Sequence, residues 1–233
     1  MSEPIAGVFV TGTGTEVGKT VVAAVIARTL AAEGKRVAVF KPAVTGLDED
    51  GEADHELLLR ASGSDQSAEE IAPYRYGPPA SPHLAASMVD GEIDPEHLRA
   101  AARAAASGAD ALVCEGVGGL LVPLTGRFNR AMRGQGAPSY LVRDLAVDLG
   151  YPLVVVASPG LGTINHTLLT IEAARTAGLE VAAVVLTPWP REPTTVERSN
   201  HETIAALGGI EVLTLPPLDL AAPASWPELS WRR

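Results

Sequence analysis

The stretch "GTGTEVGKT" at residues 12–20 follows the apolar run "IAGVFV" at residues 5–10. A buried strand, a glycine-rich turn and a Gly-Lys-Thr sequence that opens a helix together form the P-loop pattern. Glycines let backbone N–H groups converge on phosphate oxygens, and the helix start adds its positive dipole end. Lys19 can offset phosphate charge, and the Thr20 hydroxyl can ligate Mg²⁺. The stretch predicts a nucleoside triphosphate site; a glycine-rich turn without a ligand, the alternative, leaves the register of lysine, threonine and helix unexplained.

Short apolar runs alternate with helical patterns along the chain. The apolar runs lie at residues 5–10, 36–40, 111–115, 152–157, 181–186 and 211–215. The helical patterns lie at residues 18–33, 53–61, 94–106, 139–149, 163–177 and 196–207. Several runs are apolar at successive positions, which is typical of strands covered on both faces. We therefore predict an α/β fold of the P-loop NTPase type, with a doubly wound, mostly parallel sheet and helices on both faces.

The composition narrows the class of protein. The chain has 233 residues, of which 46% are hydrophobic, so we expect one domain over residues 1–233 with an irregular tail at 216–233. The formal charge of −10 argues against nucleic acid or an anionic membrane as a partner. Cys114 is the only cysteine, and the sequence shows no signal peptide and no run long enough to span a membrane. We expect a cytoplasmic protein.

Polar residues follow the predicted strands where ligands bind in open α/β sheets, at the carboxyl ends. The second strand ends in "FKPAVTG" with Lys41 and Thr45, and the third ends in "VCEGVGG" with Glu115. Asp54 opens a predicted helix between them. Thr20, Asp54 and Glu115 would supply the hard oxygen ligands that Mg²⁺ prefers. Asp54 alone is also a common helix cap, whereas a carboxylate directly after a buried strand, such as Glu115, needs a partner.

Lys41 has two interpretations at this stage. It is either a strand-end lysine that points to solvent, or a second cation that faces the phosphates and stabilises charge during phosphoryl transfer. Its position in the sequence does not decide between them.

Five stretches together resemble the dethiobiotin synthetase family. They are "GTGTEVGKT", "KPAVTG", "PPASPHLAA", "EGVGGLLVPL" and "GLGTINHTLLT", in the order of the family, and the resemblance spans residues 7 to about 187. The resemblance implies a homodimer that closes a cyclic urea on 7,8-diaminononanoate with CO₂, ATP and Mg²⁺. One amine forms a carbamate with CO₂, ATP phosphorylates the carbamate, and the neighbouring amine attacks the carbamic–phosphoric anhydride.

The resemblance also implies roles for individual residues. Lys41 resembles the catalytic lysine, and Thr20, Asp54 and Glu115 resemble the Mg²⁺ ligands. The implied nucleotide-binding residues are Glu16, Val17, Gly18, Lys19, Thr20, Val21, Asp54, Glu115, Gly116, Val117, Gly118, Thr187 and Pro188. The implied substrate-binding residues are Thr45, Gly118, Gly119, Leu161, Gly162 and Asn165, the last three reaching the diamine site across the dimer interface.

The residues expected near the nucleotide base differ from the family pattern. Many members have an Asn-Asp pair there that binds adenine, whereas this chain has Thr187 and Pro188. Pro188 has no backbone N–H, and Thr187 cannot make the paired contact of an amide. We therefore predict weak base selectivity, with other triphosphates competing with ATP. The alternative is that a backbone carbonyl, or residues 215–217, bind adenine equally well.

Three other classes of protein are disfavoured. A partitioning or targeting ATPase usually carries a lysine just after the first glycine of the loop, where this chain has Thr13 and Gly14. An amidating synthase of the cobyrinate type needs a nucleophile for glutamine, and Cys114 is in the wrong context. A non-catalytic nucleotide-binding module would not need both Lys41 and Glu115.

An arginine-bearing loop at residues 123–138 carries Arg127, Arg130 and Arg133 among glycines. These arginines could guide anions to the phosphate site, or they could be solvated. We favour the solvated interpretation, because isolated charges in glycine-rich loops contribute little.

Overall fold

The structure, a computed structural model, describes residues 6–126, 139–229 and 231. In these ranges six strands form one sheet in the order β2-β3-β1-β4-β5-β6, and every pair of neighbours is parallel. The strands are β1 (Ala6–Gly12), β2 (Val37–Phe40), β3 (Ala111–Gly119), β4 (Leu153–Ala157), β5 (Val181–Leu186) and β6 (Val212–Thr214). The predicted strands and their parallel arrangement are confirmed. The predicted loop arginines, Arg127, Arg130 and Arg133, lie outside the described residues.

Eight α-helices lie in the described ranges. They are α1 (Lys19–Ala32), α2 (Asp54–Ser62), α3 (Ala68–Ile71), α4 (Pro82–Met88), α5 (Pro95–Ala106), α6 (Val142–Leu149), α7 (Thr163–Thr176) and α8 (Thr195–Gly208). The six predicted helices are confirmed, whereas α3 and α4 were missed. Both are too short for a helical period to emerge. Their start signals are nevertheless present: Ser67 and Glu70 form a capping box, and Pro82 occupies the first turn of α4.

The sheet separates two hydrophobic cores, because successive strand residues point to opposite faces. Phe9 lies in the core that α5, α6, α7 and α8 cover, whereas Val8 and Val10 lie in the core that α1, α2 and α3 cover. Both sets of side chains are fully buried. This two-sided burial explains why the strands are apolar at successive positions, and it confirms the predicted helices on both faces. None of the helices in the described ranges has the length and apolarity to cross a membrane.

The C-terminal segment packs against α1. Its described residues beyond β6 include one short 3₁₀ turn, Pro223–Ser225. The turn is followed by buried side chains at Trp226, Leu229 and Trp231. Arg28 on α1 donates hydrogen bonds to the carbonyl oxygens of Ala224, at 3.1 Å, and Trp226, at 3.2 Å. The segment therefore completes the core on the α1 face.

We expect Trp226→Ala to lower the free energy of unfolding by about 3 to 5 kcal/mol, the usual cost of removing a buried aromatic ring. Trp226 is only 4% exposed, and its indole N–H donates to the Asp219 carbonyl at 2.8 Å. Urea denaturation measures the change. Leu207→Ala is the control, because Leu207 is 68% exposed and its loss should cost less than about 0.5 kcal/mol. Equal effects of the two substitutions would contradict the packing role of the segment.

Candidate active site

A cavity of about 870 Å³ lies at the carboxyl ends of β1, β2 and β3. The predicted site residues that line it are Glu16, Gly18, Lys19, Thr20, Val21, Lys41, Thr45, Asp54, Glu115, Val117 and Gly118. A larger cavity of about 1220 Å³ lies at the start of β2 and the end of α5, at the opposite end of the sheet. We assign the site to the smaller cavity, because it gathers the glycine-rich turn and the buried charges at the edge of the sheet where α/β proteins bind ligands.

The glycine-rich turn owes its shape to close backbone approaches. Gly18 has a φ of 90°, and a Cβ atom there would lie 2.8 Å from the methyl carbon of Thr187. A Cβ atom at Gly12 would lie 2.8 Å from a methyl carbon of Val17. Larger residues at either position would displace the turn, so glycine is required at both. The absence of side chains at these two positions lets the backbone of the turn pack this closely at the edge of the cavity, where its N–H groups can bind a phosphate.

Lys19 folds back over the turn. Its Nζ donates to the Gly14 carbonyl oxygen at 2.8 Å. Burial lowers the pKa of Lys19, and the nearby charge of Lys41 adds to this, whereas Glu115 and Asp54 offset part of the effect. A phosphate group would give this buried ammonium a negatively charged hydrogen-bond partner in place of a neutral carbonyl oxygen.

Four side chains from four segments meet beside the turn. Thr20 Oγ1 lies 2.8 Å from Asp54 Oδ1 and 2.9 Å from Glu115 Oε1. Lys41 Nζ lies 2.8 Å from Asp54 Oδ2 and 2.6 Å from Glu115 Oε1. A threonine hydroxyl has one proton, so it can donate to only one of the two carboxylates at a time. The cluster therefore holds more acceptor oxygens than donors.

The buried charges shift one another's pKa. Burial raises the pKa of Glu115, and Lys41 offsets only part of this. Burial also lowers the pKa of Lys41, but Glu115 and Asp54 outweigh it, so the pKa lies above its ordinary value. For Asp54, burial raises the pKa and Lys41 more than reverses this, so the pKa lies below its usual range. Lys41 is consequently a protonated, fixed cation at neutral pH.

These residues fit a magnesium ion. Glu115 Oε2 is buried without a hydrogen-bond partner among the described residues. It is therefore the carboxylate oxygen of the cluster that a metal ion could satisfy. Mg²⁺ takes oxygen ligands, and it usually combines one or two carboxylates with phosphate oxygens and water. Within the described ranges no group of three His, Cys, Asp or Glu residues could hold a metal by itself. Two carboxylates and one hydroxyl would fill only part of the coordination shell of Mg²⁺, and the phosphate oxygens of a nucleotide would supply further ligands.

Other predicted residues lie outside the cavity lining. Gly116 packs between Phe9 and Val142, each about 3.0 Å from where its Cβ would lie. Gly119 lies against the Gly12 carbonyl oxygen, 3.2 Å from the corresponding point. Val17 closes the turn from the side of Gly12. Gly119 and Val17 pack against the phosphate loop, whereas Gly116 packs against β1 and α6; contact of any of the three with a ligand stays a prediction.

The residues predicted near the base and the diamine also lie outside the lining. Thr187 is buried, with its methyl group against the turn, and Pro188 is exposed. Leu161, Gly162 and Asn165 begin α7 at a different edge of the site and are exposed, Leu161 to 97%. Within one chain the structure does not bring these three to the cavity. Their predicted contact across a dimer interface stays a prediction.

Several cavity residues were not predicted from the sequence. They include Ala43, Glu49, Glu52, Leu57, Pro79, Ala80, Ser81, Pro82, Val122 and Leu220. The stretch "PPASPHLAA" did carry a signal for residues 79–82, because it belongs to the family pattern. Leu220 carried none, since it follows the last predicted strand in a proline-rich segment.

Comparison with known proteins assigns the family. A family model described as an AAA domain matches residues 6–225. The ATP-dependent dethiobiotin synthetase BioD of Rhodococcus erythropolis (strain PR4) is 40% identical over 222 residues, covering 90% of this chain and 87% of that protein. The enzyme of the same name from Anaeromyxobacter dehalogenans (strain 2CP-1) is 42% identical over 211 residues, covering 91% and 89%. This chain belongs to the dethiobiotin synthetase family.

Membership in the dethiobiotin synthetase family confirms two expectations from the sequence, the family itself and an enzyme of its ligase class. A solved structure supports the fold alone: the signal recognition particle 54 kDa protein of Aeropyrum pernix superposes with a TM-score of 0.50 at 16% identity. The superposition covers 94% of this chain and 43% of that one. The P-loop α/β fold predicted from the sequence is therefore confirmed.

We expect Glu115→Gln to weaken the Mg²⁺ dependence of ADP binding by about tenfold or more while preserving the fold. The amide keeps the size of the side chain and loses its charge. Titration calorimetry with ADP at a series of Mg²⁺ concentrations measures the effect without turnover. Glu49→Gln is the matched control, because Glu49 lines the same cavity but is exposed. A large fall in Tm with unchanged Mg²⁺ dependence would make Glu115 a structural residue instead.

Proposed function

We propose that this chain is an ATP- and Mg²⁺-dependent dethiobiotin synthetase that closes the cyclic urea of dethiobiotin on 7,8-diaminononanoate with CO₂. The observation that supports it most is the position of Lys41, buried and protonated between two carboxylates beside the phosphate loop of a chain in this family. The reaction needs a fixed positive charge at that point, because an anion must approach a phosphate.

The proposed chemistry has three steps. One amine of the diamine adds to CO₂ and loses a proton, which forms a C–N bond and a carbamate. A carbamate oxygen then attacks the terminal phosphorus of ATP, and ADP leaves, so a carbamic–phosphoric anhydride forms. The second amine attacks the carbonyl carbon of the anhydride and loses a proton, the bond from that carbon to the phosphate oxygen breaks, phosphate leaves, and the five-membered urea closes.

Each residue of the cluster has a role in this scheme. Lys19 and the loop N–H groups hold the phosphates, once Lys19 exchanges the Gly14 carbonyl for a phosphate oxygen. Lys41 offsets the repulsion between the carbamate and the terminal phosphate where charge accumulates in the transition state. Thr20, Asp54 and Glu115 would hold Mg²⁺, which supplies further neutralisation of phosphate charge when bound.

We propose that the enzyme acts as a homodimer without nucleic acid or membrane partners. The resemblance to the family implies the dimer, and Leu161, 97% exposed at the start of α7, is accessible to a partner chain. Thr45 lines the cavity beside Lys41 and is the proposed hydroxyl contact of the diamine. Gly118 lines the same wall, and Leu161, Gly162 and Asn165 of the partner would complete the diamine site.

An assay with ATP, Mg²⁺, bicarbonate and 7,8-diaminononanoate tests the proposal by measuring phosphate and cyclic urea together. Equal amounts of both products, formed only in the presence of the diamine, support the synthetase. Phosphate release that does not depend on the diamine would overturn it in favour of a P-loop ATPase switch.

We expect Lys41→Ala to lower turnover at least about a hundredfold, the usual effect of losing one group that stabilises developing charge. Binding of Mg-ADP should change much less, because Lys19 still contacts the phosphates. Steady-state kinetics and calorimetry separate the two effects, with Lys35→Ala as a control at a partly exposed lysine that does not line the site cavity. Turnover close to that of the unaltered enzyme would contradict the catalytic role of Lys41.

We expect weak selectivity for the nucleotide base. Thr187 uses its N–H on the Ala157 carbonyl at 3.0 Å, and Pro188 has no N–H to offer. The Leu215 carbonyl already accepts from the Trp189 N–H at 2.7 Å. Few of these backbone groups are therefore free to form hydrogen bonds with the base. A base other than adenine leaves few of them unpaired, so GTP, CTP and UTP should compete with ATP. Parallel kinetics with the four triphosphates test this, and a preference for ATP above about a hundredfold over each of the others would contradict it.

A further inference from the structure

Arg60, in the last turn of α2, joins two separate walls of the nucleotide cavity. Its Nε and Nη2 donate to the two carboxylate oxygens of Glu52, at 3.0 Å and 2.7 Å. Its Nη1 donates to the Leu220 carbonyl oxygen at 2.7 Å. All three guanidinium nitrogens are therefore engaged, two with the loop before α2 and one with the C-terminal segment.

Both partners of Arg60 line the cavity, although Arg60 itself does not. Glu52 lies two residues before Asp54, which shares Thr20 and Lys41 with Glu115. Leu220 belongs to the C-terminal segment, which is anchored further along by the buried Trp226, whose carbonyl oxygen accepts from Arg28 of α1. A shift of Arg60 would therefore move the start of α2 and the C-terminal wall at once.

The geometry distinguishes this contact from an ordinary surface ion pair. Exposed pairs usually contribute little, since water screens them and both side chains lose freedom. A planar fork onto one carboxylate is the exception, because both hydrogen bonds form in one orientation, and that orientation directs the third nitrogen at Leu220. Lysine, with a single ammonium group, cannot hold a carboxylate in a fork and a carbonyl in these directions together.

We propose that Arg60 is a positioning residue of the nucleotide site, which holds Leu220 and the loop before Asp54 at the distance that fits a bound nucleotide. The inference rests on the proposed nucleotide role of the cavity. Because the hydrogen bonds of Arg60 go to Glu52 and Leu220, and not to the phosphate loop or Lys41, the expected effect is on nucleotide affinity and not on the chemical step.

The chain contains a matched control. Arg36 forks onto Asp110 in the same way, with Nε–Oδ2 at 3.1 Å and Nη2–Oδ1 at 2.8 Å, and both residues are exposed. This pair lies at the start of β2, at the opposite end of the sheet from the nucleotide cavity. Arg36→Ala therefore removes an equivalent ion pair without changing either wall of the nucleotide cavity, which Arg36 does not line.

Titration calorimetry with Mg-ADP on Arg60→Ala, Arg60→Lys and Arg36→Ala tests the proposal. We expect the Kd of Mg-ADP to rise about tenfold, or about 1.4 kcal/mol, in both Arg60 variants and to stay within about twofold in Arg36→Ala. At saturating ATP, kcat and the KM of the diamine should stay within about twofold. Leu220→Ala should raise the Kd less in the Arg60→Ala background than alone, because both changes loosen one wall.

Four results would overturn the proposal. They are an unchanged Kd in Arg60→Ala, wild-type affinity in Arg60→Lys, an equal rise in Arg36→Ala, and a diamine KM that rises in parallel with the Kd. If Arg60→Ala does not fold, Glu52→Gln tests the same fork, since its amide cannot accept from both nitrogens. Calorimetry uses nucleotide alone, so a wild-type chain that binds Mg-ADP and forms no dethiobiotin would refute the proposed reaction and leave this inference standing.

Discussion

The buried contact between Lys41 and Glu115, 2.6 Å at the ends of neighbouring strands β2 and β3, is the constraint around which the site is built. Removing two charges from water costs several kcal/mol for each ion, and a single ion pair seldom recovers it. Here the carboxylate keeps one oxygen without a partner among the described residues. A fold that only needed stability would place two apolar side chains there, so the arrangement is consistent with a ligand that supplies the missing positive charge.

The parallel sheet brings Lys41 and Glu115 together, because the carboxyl ends of its strands lie at one edge. β1 lies between β3 and β4, so the glycine-rich turn that follows β1 lies directly beside the end of β3. Gly119 at the end of β3 is within contact of the Gly12 carbonyl, which leaves no room for a larger residue between the two. Burial on both faces fixes the strands, and the close contacts of glycines then fix the turn relative to the charges.

The sequence predicted the parts of this protein that depend on local patterns. The strands, the long helices and the phosphate loop follow from apolar runs, helical periods and glycine spacing, and all are found where expected. Asp54, at a helix start, and Glu115, in β3, could be brought together from the sequence only by assuming that both lie at the carboxyl edge of the sheet, and in the structure both lie within 2.9 Å of the Thr20 hydroxyl. α3 is four residues long, and α4 seven, so neither shows a period. The C-terminal wall depends on contacts between residues 160 positions apart, such as Arg60 and Leu220, and no local pattern encodes such a contact.

The two lysines of the site have different hydrogen-bond partners, and this difference suits them to different roles. Lys41 is held by two carboxylates, which keep its pKa above the ordinary value despite complete burial. Lys19 is held by one carbonyl oxygen, and burial lowers its pKa. A cation fixed by two ion pairs is already oriented and loses little freedom when charge develops beside it. A cation on a neutral carbonyl can leave it for a phosphate at small cost and gains a stronger hydrogen bond. Lys19 is thus suited to capture the nucleotide, and Lys41 to act on the reacting atoms once it is bound.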